Sequence, residues 1–540
     1  MSTESALLSK IKELETELQN IKKQKRYGLV WEDKPESIVE RCKTELPVLV
    51  EDESRRITEW WDAPTHILIE WDNYPALSVL AYTHEKQVDV IYIDPPYNTG
   101  NRDFSYNDTY VDREDSFRHS KWLSFISKRL EIAKKLLKDT WIIFITIDDN
   151  ESAQLKLLCD EIFEEKNEIA QIIWQNKYTV SSDAKFFSKQ HDYIFVYAKD
   201  SSKAIINLLD KTDEAIARYK NPDNDPRWPW KSTPLDARSG WAKNKYEITF
   251  PNGKSWSPSD GRYATYSQDK LLGFFEEGRL WFGKDGSAKP SKKTYLSEVS
   301  TWMKCSTIFD FQMFWHNHQA NDELAEILWK WKFSSPKPKL LIKQILKLTN
   351  SSVVLDFFAW SGTTWHAVLE LNREDGGNRQ AILVTNNENQ IAETVTYPRM
   401  QRVIEGYADV AGIPANLRYY RTEFIAVDRS IDDLRSRFMG RCNEMLCIRE
   451  SCYDRVEMAD TSEYLQVFEN RTEILAILYH PYEIERFERW ARETTREIVV
   501  YIFSMGVEIF QEELAHLSHR IRIETIPDEI LETYKKIFGF

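Results

Sequence analysis

Apolar positions along this chain recur in two rhythms, one helical and one strand-like. Between residues 1 and 26, Leu7, Ile11, Leu14, Leu18 and Ile21 return at steps of four and three, with Lys and Glu between them. That spacing predicts a short coiled-coil or helix-packing seam. Beyond it, compact Val/Ile/Leu runs alternate with amphipathic stretches. THILIEWDNYPALSVLAY (65–82) predicts strand, turn and helix, and VDVIYI (88–93) predicts a strand. FRHSKWLSFISKRLEIAKKLLKD (117–139) predicts a helix, WIIFITIDDNE (141–151) a strand closing on acids, and ESAQLKLLCDEIFEE (151–165) another helix. Strands alternating with helices predict a parallel sheet covered on both faces.

The pattern breaks from 178 to 330. Pro, Asn, Trp and short alternating runs such as KYEITFPNGKSW fill this stretch, with no long helical period before NDELAEILWKW. An irregular, aromatic and polar insertion of that length predicts a binding region. The earlier rhythm resumes with FSSPKPKLLIKQILKLTN (333–350), SSVVLDFFAWSGTTWHAVLEL (351–371) and QAILVTNNEN (380–389). From 425, LQVFEN, ILAILYH, EIVVYIFS and RIRIETI predict a small α/β module of its own. The predicted organisation is a seam (1–26), one half of an α/β domain (27–177), an insertion (178–330), the second half (331–424) and a C-terminal interaction domain (425–540).

Composition narrows the class. A chain of 540 residues exceeds one ordinary core. Its 42% apolar and 29% charged residues are those of a globular protein, and no apolar run reaches transmembrane length. The charged N-terminus does not read as a signal peptide, and a cytoplasmic location without membrane contact is expected. A net charge of −14 argues against indiscriminate coating of nucleic acid, while leaving room for a local basic cleft. Cys442, Cys447 and Cys452 lack the C-x2-C rhythm of zinc ribbons, so reduced structural thiols and no metal are expected.

Two short motifs carry the chemistry. In VIYIDPPYNTG (90–100), Asp94 ends a predicted strand, where open α/β sheets place their ligands. Pro95 and Pro96 stop the strand and stiffen the turn, and Tyr97 projects beside the acid. A rigid corner with a carboxylate, an outward carbonyl and an aromatic face suits a flat polar ring bearing an exocyclic amine. The second motif, DFFAWSGTTWHA (356–367), follows a strand and opens a helix, where backbone amides meet a cofactor.

Together these motifs, in this order and about 260 residues apart, resemble those of the β-class, circularly permuted DNA amino-methyltransferases. KRYGLVWEDKPE, RHSKW, PDNDPR, FSSPKP and ILVTNNEN further resemble the modification subunits of type III restriction systems, over roughly 20–420. The resemblance implies a Rossmann-like S-adenosylmethionine-dependent methyltransferase sheet in permuted motif order, with the insertion as target-recognition region. It implies adenine N6 in double-stranded DNA as acceptor, S-adenosylmethionine as donor, a helicase-nuclease restriction partner, and a homodimer. Asp94 and the Pro95 carbonyl would accept the amine hydrogens and Tyr97 would stack on a base swung out of the duplex. Asp356, Phe358, Ser361, Gly362 and Thr363 fall on the family's cofactor loop, and Lys337 borders the methionine end. Asp72 and Asn73 line the same pocket. Glu388 is either a ligand of the ribose hydroxyls or a solvated turn residue.

One departure stands out. Trp (19) outnumbers Gly (17), and Trp appears where the pattern leads to glycine, at Trp71, Trp141, Trp228, Trp360 and Trp365, with Trp315, Trp329 and Trp331 similar. Trp71, Trp360 and Trp365 are expected to crowd the cofactor loops and weaken S-adenosylmethionine binding. The alternatives are a cofactor-impaired DNA-recognition subunit that positions a nuclease-helicase, or displaced loops whose indoles stack on adenine.

Overall fold

The computed structural model describes residues 29–539 apart from 59, 61–62, 183, 301, 330–332, 334, 428–436, 439, 458–463, 504–513, 515–516, 518 and 527. The predicted seam at 1–26 and Trp331 lie outside the described residues. The Val/Ile/Leu runs pair into a ten-stranded sheet among the described residues. In chain order its strands are β1 Glu45–Glu51, β2 Thr65–Glu70, β3 Val88–Ile93, β4 Leu137–Ile147 and β5 Glu168–Gln175. They continue with β6 His191–Ala198, β7 Ile308–Phe309, β8 Val353–Asp356, β9 Gln380–Thr385 and β10 Asn416–Ala426. Across the sheet the order is β1-β10-β2-β9-β8-β3-β4-β6-β5-β7. From β10 to β4 every neighbouring pair is parallel, while β1 and β6 join antiparallel. This is a Rossmann-like α/β sheet, as the resemblance implies, with the parallel centre that the alternation of runs predicts.

The order of connections makes the site. β3 leads through a helix α2 (Arg118–Leu136) to β4 on one side. β8, paired directly with β3, leads through a helix α4 (Thr363–Asp375) to β9 on the other side. Connections that diverge from adjacent parallel strands open a crevice at their carboxyl ends. All six residues of β3 are buried, which explains why VDVIYI carries no alternation.

Helix α2 buries Trp122, Leu123, Ile126, Leu130 and Ala133 along one face, with Lys134 and Lys135 in its last turn. It ends at Leu136, earlier than the predicted 139, because Leu137 turns extended (φ −66°, ψ 135°) and starts β4 directly. Helix α1 (Asn73–Thr83) has no polar face, since every residue in it is buried. Its far side is covered by the C-terminal region. Tyr74 meets Phe538 with ring centroids 6.2 Å apart, and Tyr534 donates to the Pro47 carbonyl at 2.5 Å.

That covering corrects the predicted independence of 425–540. The region does have its own sheet, with parallel Glu473–Leu478, Glu497–Phe503 and Ile521–Ile526 and antiparallel Leu465–Glu469 and Asp454–Arg455 beside them. Yet Phe438, Met445, Leu446, Tyr534 and Phe538 belong to the same apolar core as Tyr74 and Leu77. Cys442, Cys447 and Cys452 are buried, and burial pushes the Cys442 and Cys452 thiols up to about 12. Among the described residues no helix is long and apolar enough to cross a membrane.

The insertion also has other limits than 178–330. The separate compact unit is Asn207–Ser306, because β6 and helix Asn317–Leu328 belong to the larger unit. The smaller unit has its own core of Leu235, Ile248, Phe250, Trp256, Leu271 and Phe282. Its two ends meet, since Leu209–Asp210 pairs antiparallel with Trp302–Met303. Opposed strand residues lie only about 5 Å apart. Replacing 211–301 with a short glycine-serine link is therefore expected to leave the larger unit folded. Circular dichroism in urea should then show one cooperative transition at a midpoint close to that of the parent chain, and loss of that transition would contradict the boundary.

Candidate active site

Asp94 stands at the carboxyl end of β3, at the point where β3 and β8 part. Its Oδ2 accepts from Lys337 Nζ at 2.6 Å and its Oδ1 from the Thr146 hydroxyl at 2.7 Å. Neither side chain of the ion pair is more than 16% exposed, so water screens the pair weakly. Pro95 and Pro96 follow, as the sequence implies, and two indoles fix the corner's backbone. Trp360 Nε1 donates to the Asp94 carbonyl and Trp122 Nε1 to the Pro96 carbonyl, both at 2.7 Å. Among the described residues nothing donates to the Pro95 carbonyl. The Tyr97 ring lies 4.9 Å from Lys337 Nζ, and its buried hydroxyl has no partner among the described residues. Burial and the neighbouring Asp94 and Asp192 hold that phenol well above its ordinary pKa of 10.0.

The second motif lies beside it. Asp356 ends β8 and is 3% exposed. Its carboxylate accepts from the Phe358 amide at 3.0 Å and from the Thr364 hydroxyl. Burial pushes this acid up to about 7 despite those two donors. Gly362 caps α4 in the left-handed conformation with φ 74°. A Cβ there would stand 3.3 Å from Thr396 Cγ2, so both conformation and space favour glycine. Ser361 and Thr363 are buried and share Arg399, whose Nη1 reaches Thr363 Oγ1 at 2.8 Å.

Asp72 and Asn73 meet the same place from β2. Asp72 caps α1 by accepting from the Tyr74 amide at 2.8 Å, and Asn73 Nδ2 donates to the Phe357 carbonyl at 2.9 Å. Asp72, Asn73, Phe358, Pro96 and Glu388 then line one cavity of about 570 Å³, with Trp71 and Trp360. That size suits a nucleoside-sized ligand. Asp94, Lys337, Asp356, Ser361 and Thr363 line a second, of about 20 Å³, which holds little more than one water. Phe358 and Trp360 belong to both, their rings 6.4 Å apart at 26°.

The tryptophans divide. Trp360 has φ 44°, a conformation that costs a non-glycine residue about 1–3 kcal/mol. Trp71 lines the large cavity and is 39% exposed, on an ordinary backbone. Trp365 departs from the expectation. It lies inside α4, fully buried, with its ring edge-on to His66 at 5.9 Å, so it packs in the core and lines neither cavity.

Several site groups escaped the sequence reading. Arg129 is fully buried, donates to both Glu36 oxygens at 3.0 and 2.7 Å and to Asp72 at 2.9 Å. A charged residue one heptad after Trp122 in an otherwise apolar stripe was its one signal. Asp192 on β6 is 6% exposed, and burial pushes it up to about 6 against the pull of Lys337. Arg399 and Thr146 carried no signal, because a sequence does not show which residues a sheet brings together.

The fold and this corner define a Rossmann-like α/β protein with a ligand crevice at its switch point. Residues 88–423 match the DNA methylase family, which is more than half of the chain, and the chain belongs to that family. It is 36% identical over 373 residues to the type III restriction-modification enzyme StyLTI Mod subunit of Salmonella typhimurium, covering 63% of this chain and 55% of that one. The EcoPI Mod subunit of Escherichia phage P1 is 30% identical over 430 residues, covering 67% and 64%. The chain thus spans less than two thirds of either relative's length. A solved M1.HpyAVI–SAM complex aligns at 13% identity and a TM-score of 0.29, over 62% of this chain and 99% of that one, a likeness too distant to carry an argument.

The raised Asp356 acid has a thermodynamic consequence. Its pKa rises from 3.8 to about 7 on folding, so its stabilising contribution is complete below 3.8 and is lost as pH climbs through 7. Asp356→Asn removes that titration. Relative to the parent, the variant is expected to gain stability steadily across this window and level off above it, as followed by thermal melts at a series of pH values. A difference independent of pH would show that the carboxyl is not neutralised by burial.

Proposed function

We propose that this chain is a site-specific DNA methyltransferase acting on adenine N6, the modification subunit of a restriction-modification system. The observation that carries the reading is the Asp94–Tyr97 corner, rigid and intact at the switch point, with a nucleoside-sized cavity on its Pro96 side. An aromatic amine is a weak nucleophile because its lone pair is delocalised into the ring. Acceptors on its two hydrogens draw the nitrogen toward tetrahedral geometry, and the Asp94 carboxylate and Pro95 carbonyl would be those acceptors. Lys337 and Thr146 hold the carboxylate in one orientation. Positioning of that kind supplies much of a transfer rate. Tyr97 would stack on an adenine extruded from the duplex, because N6 is out of reach within it.

S-adenosylmethionine is the proposed donor, supplying an electrophilic methyl group on a sulfonium. The large cavity fits its adenosine, with Glu388 and Asp72 on the wall where ribose hydroxyls are bound in related folds. The small cavity, at about 20 Å³, does not fit its methionine end while Trp360 stays in place.

For DNA, the unit 207–306 is the favoured reader. It holds 17 Lys and Arg against 13 Asp and Glu inside a chain of net charge −14, with Trp241 and Trp302 exposed. Its Arg, Lys, Asn and Gln suit base edges in the major groove. The heptad seam and the Mod-like relationship favour a homodimer and a restriction partner. Light scattering at micromolar concentration is expected to give twice the chain mass, and a monomer would count against the dimer.

The chemistry is tested by methylating adenine-containing duplexes with the parent and with Trp360→Gly, each with and without Asp94→Ala. Trp360→Gly is expected to give N6-methyladenine, lost about 100-fold or more with Asp94→Ala, on the scale of one preorganised active-site contact, and the parent, whose small cavity does not fit the donor, is expected to give far less. DNA affinity should change little. N4-methylcytosine or C5-methylcytosine as product would overturn the assignment.

A further inference from the structure

Trp360 lines both cavities. Its ring and that of Phe358 are the aromatic surfaces common to both, and its N–H is bound to the Asp94 carbonyl at 2.7 Å. On one side there is room for a nucleoside, about 570 Å³, and on the other about 20 Å³ beside Asp94, Lys337 and Asp356. The backbone beneath is left-handed, φ 44°, a conformation that glycine takes freely and tryptophan does not. Two requirements of glycine therefore coincide at one residue, the conformation and the missing side chain.

We propose that the Trp360 indole plugs the methionine end of the donor site, so that the chain admits adenosine but excludes S-adenosylmethionine, and that glycine at 360 makes the site continuous. The plug rests on the methyl-donor reading of the cavity. Removing the indole opens the space between Phe358 and Lys337 and frees the Asp94 carbonyl. It also relieves the backbone. The corner's side chains keep their contacts, because Asp94, Lys337, Thr146 and Tyr97 hold one another without the indole, and Trp122 still binds the Pro96 carbonyl.

Calorimetric titration of the full chain, Trp360→Gly and Trp360→Ala, with adenosine and with S-adenosylmethionine separately, tests this. Adenosine is expected to bind all three alike. S-adenosylmethionine is expected to bind Trp360→Gly at least about 30-fold more tightly than the parent, the worth of two ordinary hydrogen bonds. Trp360→Ala, which opens the space without relieving the backbone, should show a smaller gain. Equal S-adenosylmethionine affinity in all three, with adenosine binding intact, would overturn the plug alone. Failure of adenosine to bind any of them would overturn the donor reading and the plug with it.

A separate observation concerns the tryptophans away from this cavity. Trp329 follows helix Asn317–Leu328 in the left-handed conformation, φ 56° and ψ 18°, where glycine usually ends helices, and it is 72% exposed. Trp315 has φ 61° and ψ 171°, a region occupied essentially by glycine alone. Trp122 and Trp174 are different: each is fully buried with its indole N–H bonded to a carbonyl. We infer that Trp315, Trp329 and Trp360 are encoded by UGA, a codon that variant genetic codes read as tryptophan or as glycine, and that the source organism reads it as glycine. The gene is expected to show UGA at these three positions and UGG at 122 and 174, and peptide masses from the source organism's protein should carry glycine at the three. UGG at all five, or tryptophan in those peptides, would overturn the inference.

Discussion

Asp94 carries a charge at the lip of a buried sheet, and the surrounding groups are arranged to keep it there in one orientation. Pro95 and Pro96 remove the amides that could have solvated it locally, so its donors come from elsewhere in the chain: Thr146 on β4 and Lys337 from the segment before a helix α3 (Lys339–Lys347). The adjacent acids are not given the same support. Asp356 and Asp192 are more deeply buried, and burial raises both toward neutrality. Three carboxyl groups share one corner because Lys337 neutralises one of them and burial favours the protonated form of the other two.

A second buried charge holds the opposite wall. Arg129 spans Glu36 and Asp72, and Asn73 ties that wall to the Phe357 carbonyl. Burial works against its charge, and Glu36 and Asp72 more than offset this, so Arg129 stays protonated. Buried ion pairs contribute little net stability, since desolvation consumes most of the attraction. Their use here is geometric. The cluster fixes where α1 begins relative to β8, which is the width of the large cavity. Arg399 acts similarly beneath Ser361 and Thr363, setting the turn that enters α4.

The tryptophans show how a residue type can be compatible with a fold and still oppose its site. Trp365 takes no ligand space, because it sits at an interior helical position edge-on to His66, although its buried indole N–H has no partner among the described residues. Trp360 pays in backbone conformation and occupies ligand space at once. The fold tolerates the first, since a few kcal/mol is absorbed by a core of this size, whereas a filled cavity has no compensation elsewhere.

The strands β2, β3, β4, β8 and β9, the helices that follow the first four of them and the two motifs at the switch point were legible in the sequence because each depends on local periodicity or on residues that are neighbours in the chain. VDVIYI reads as a buried strand whatever surrounds it, and D-P-P-Y ends it whatever follows. The left-handed backbone at Trp360 was anticipated for the same reason, as a glycine place in a turn. What only the tertiary structure decided depends on residues far apart in sequence. The Lys337–Asp94 pair joins groups 243 positions apart, and Arg129 reaches back 93 to Glu36. The limits of the insertion moved for the same reason, since His191–Ala198 looks like part of an irregular stretch until β4 and β5 pair with it. Likewise Trp365 could not be assigned to core or pocket until α4 was rotated against the sheet. Periodicity fixes which residues are apolar together, but the choice of partner is made by packing, and packing sums contacts that the linear order does not contain.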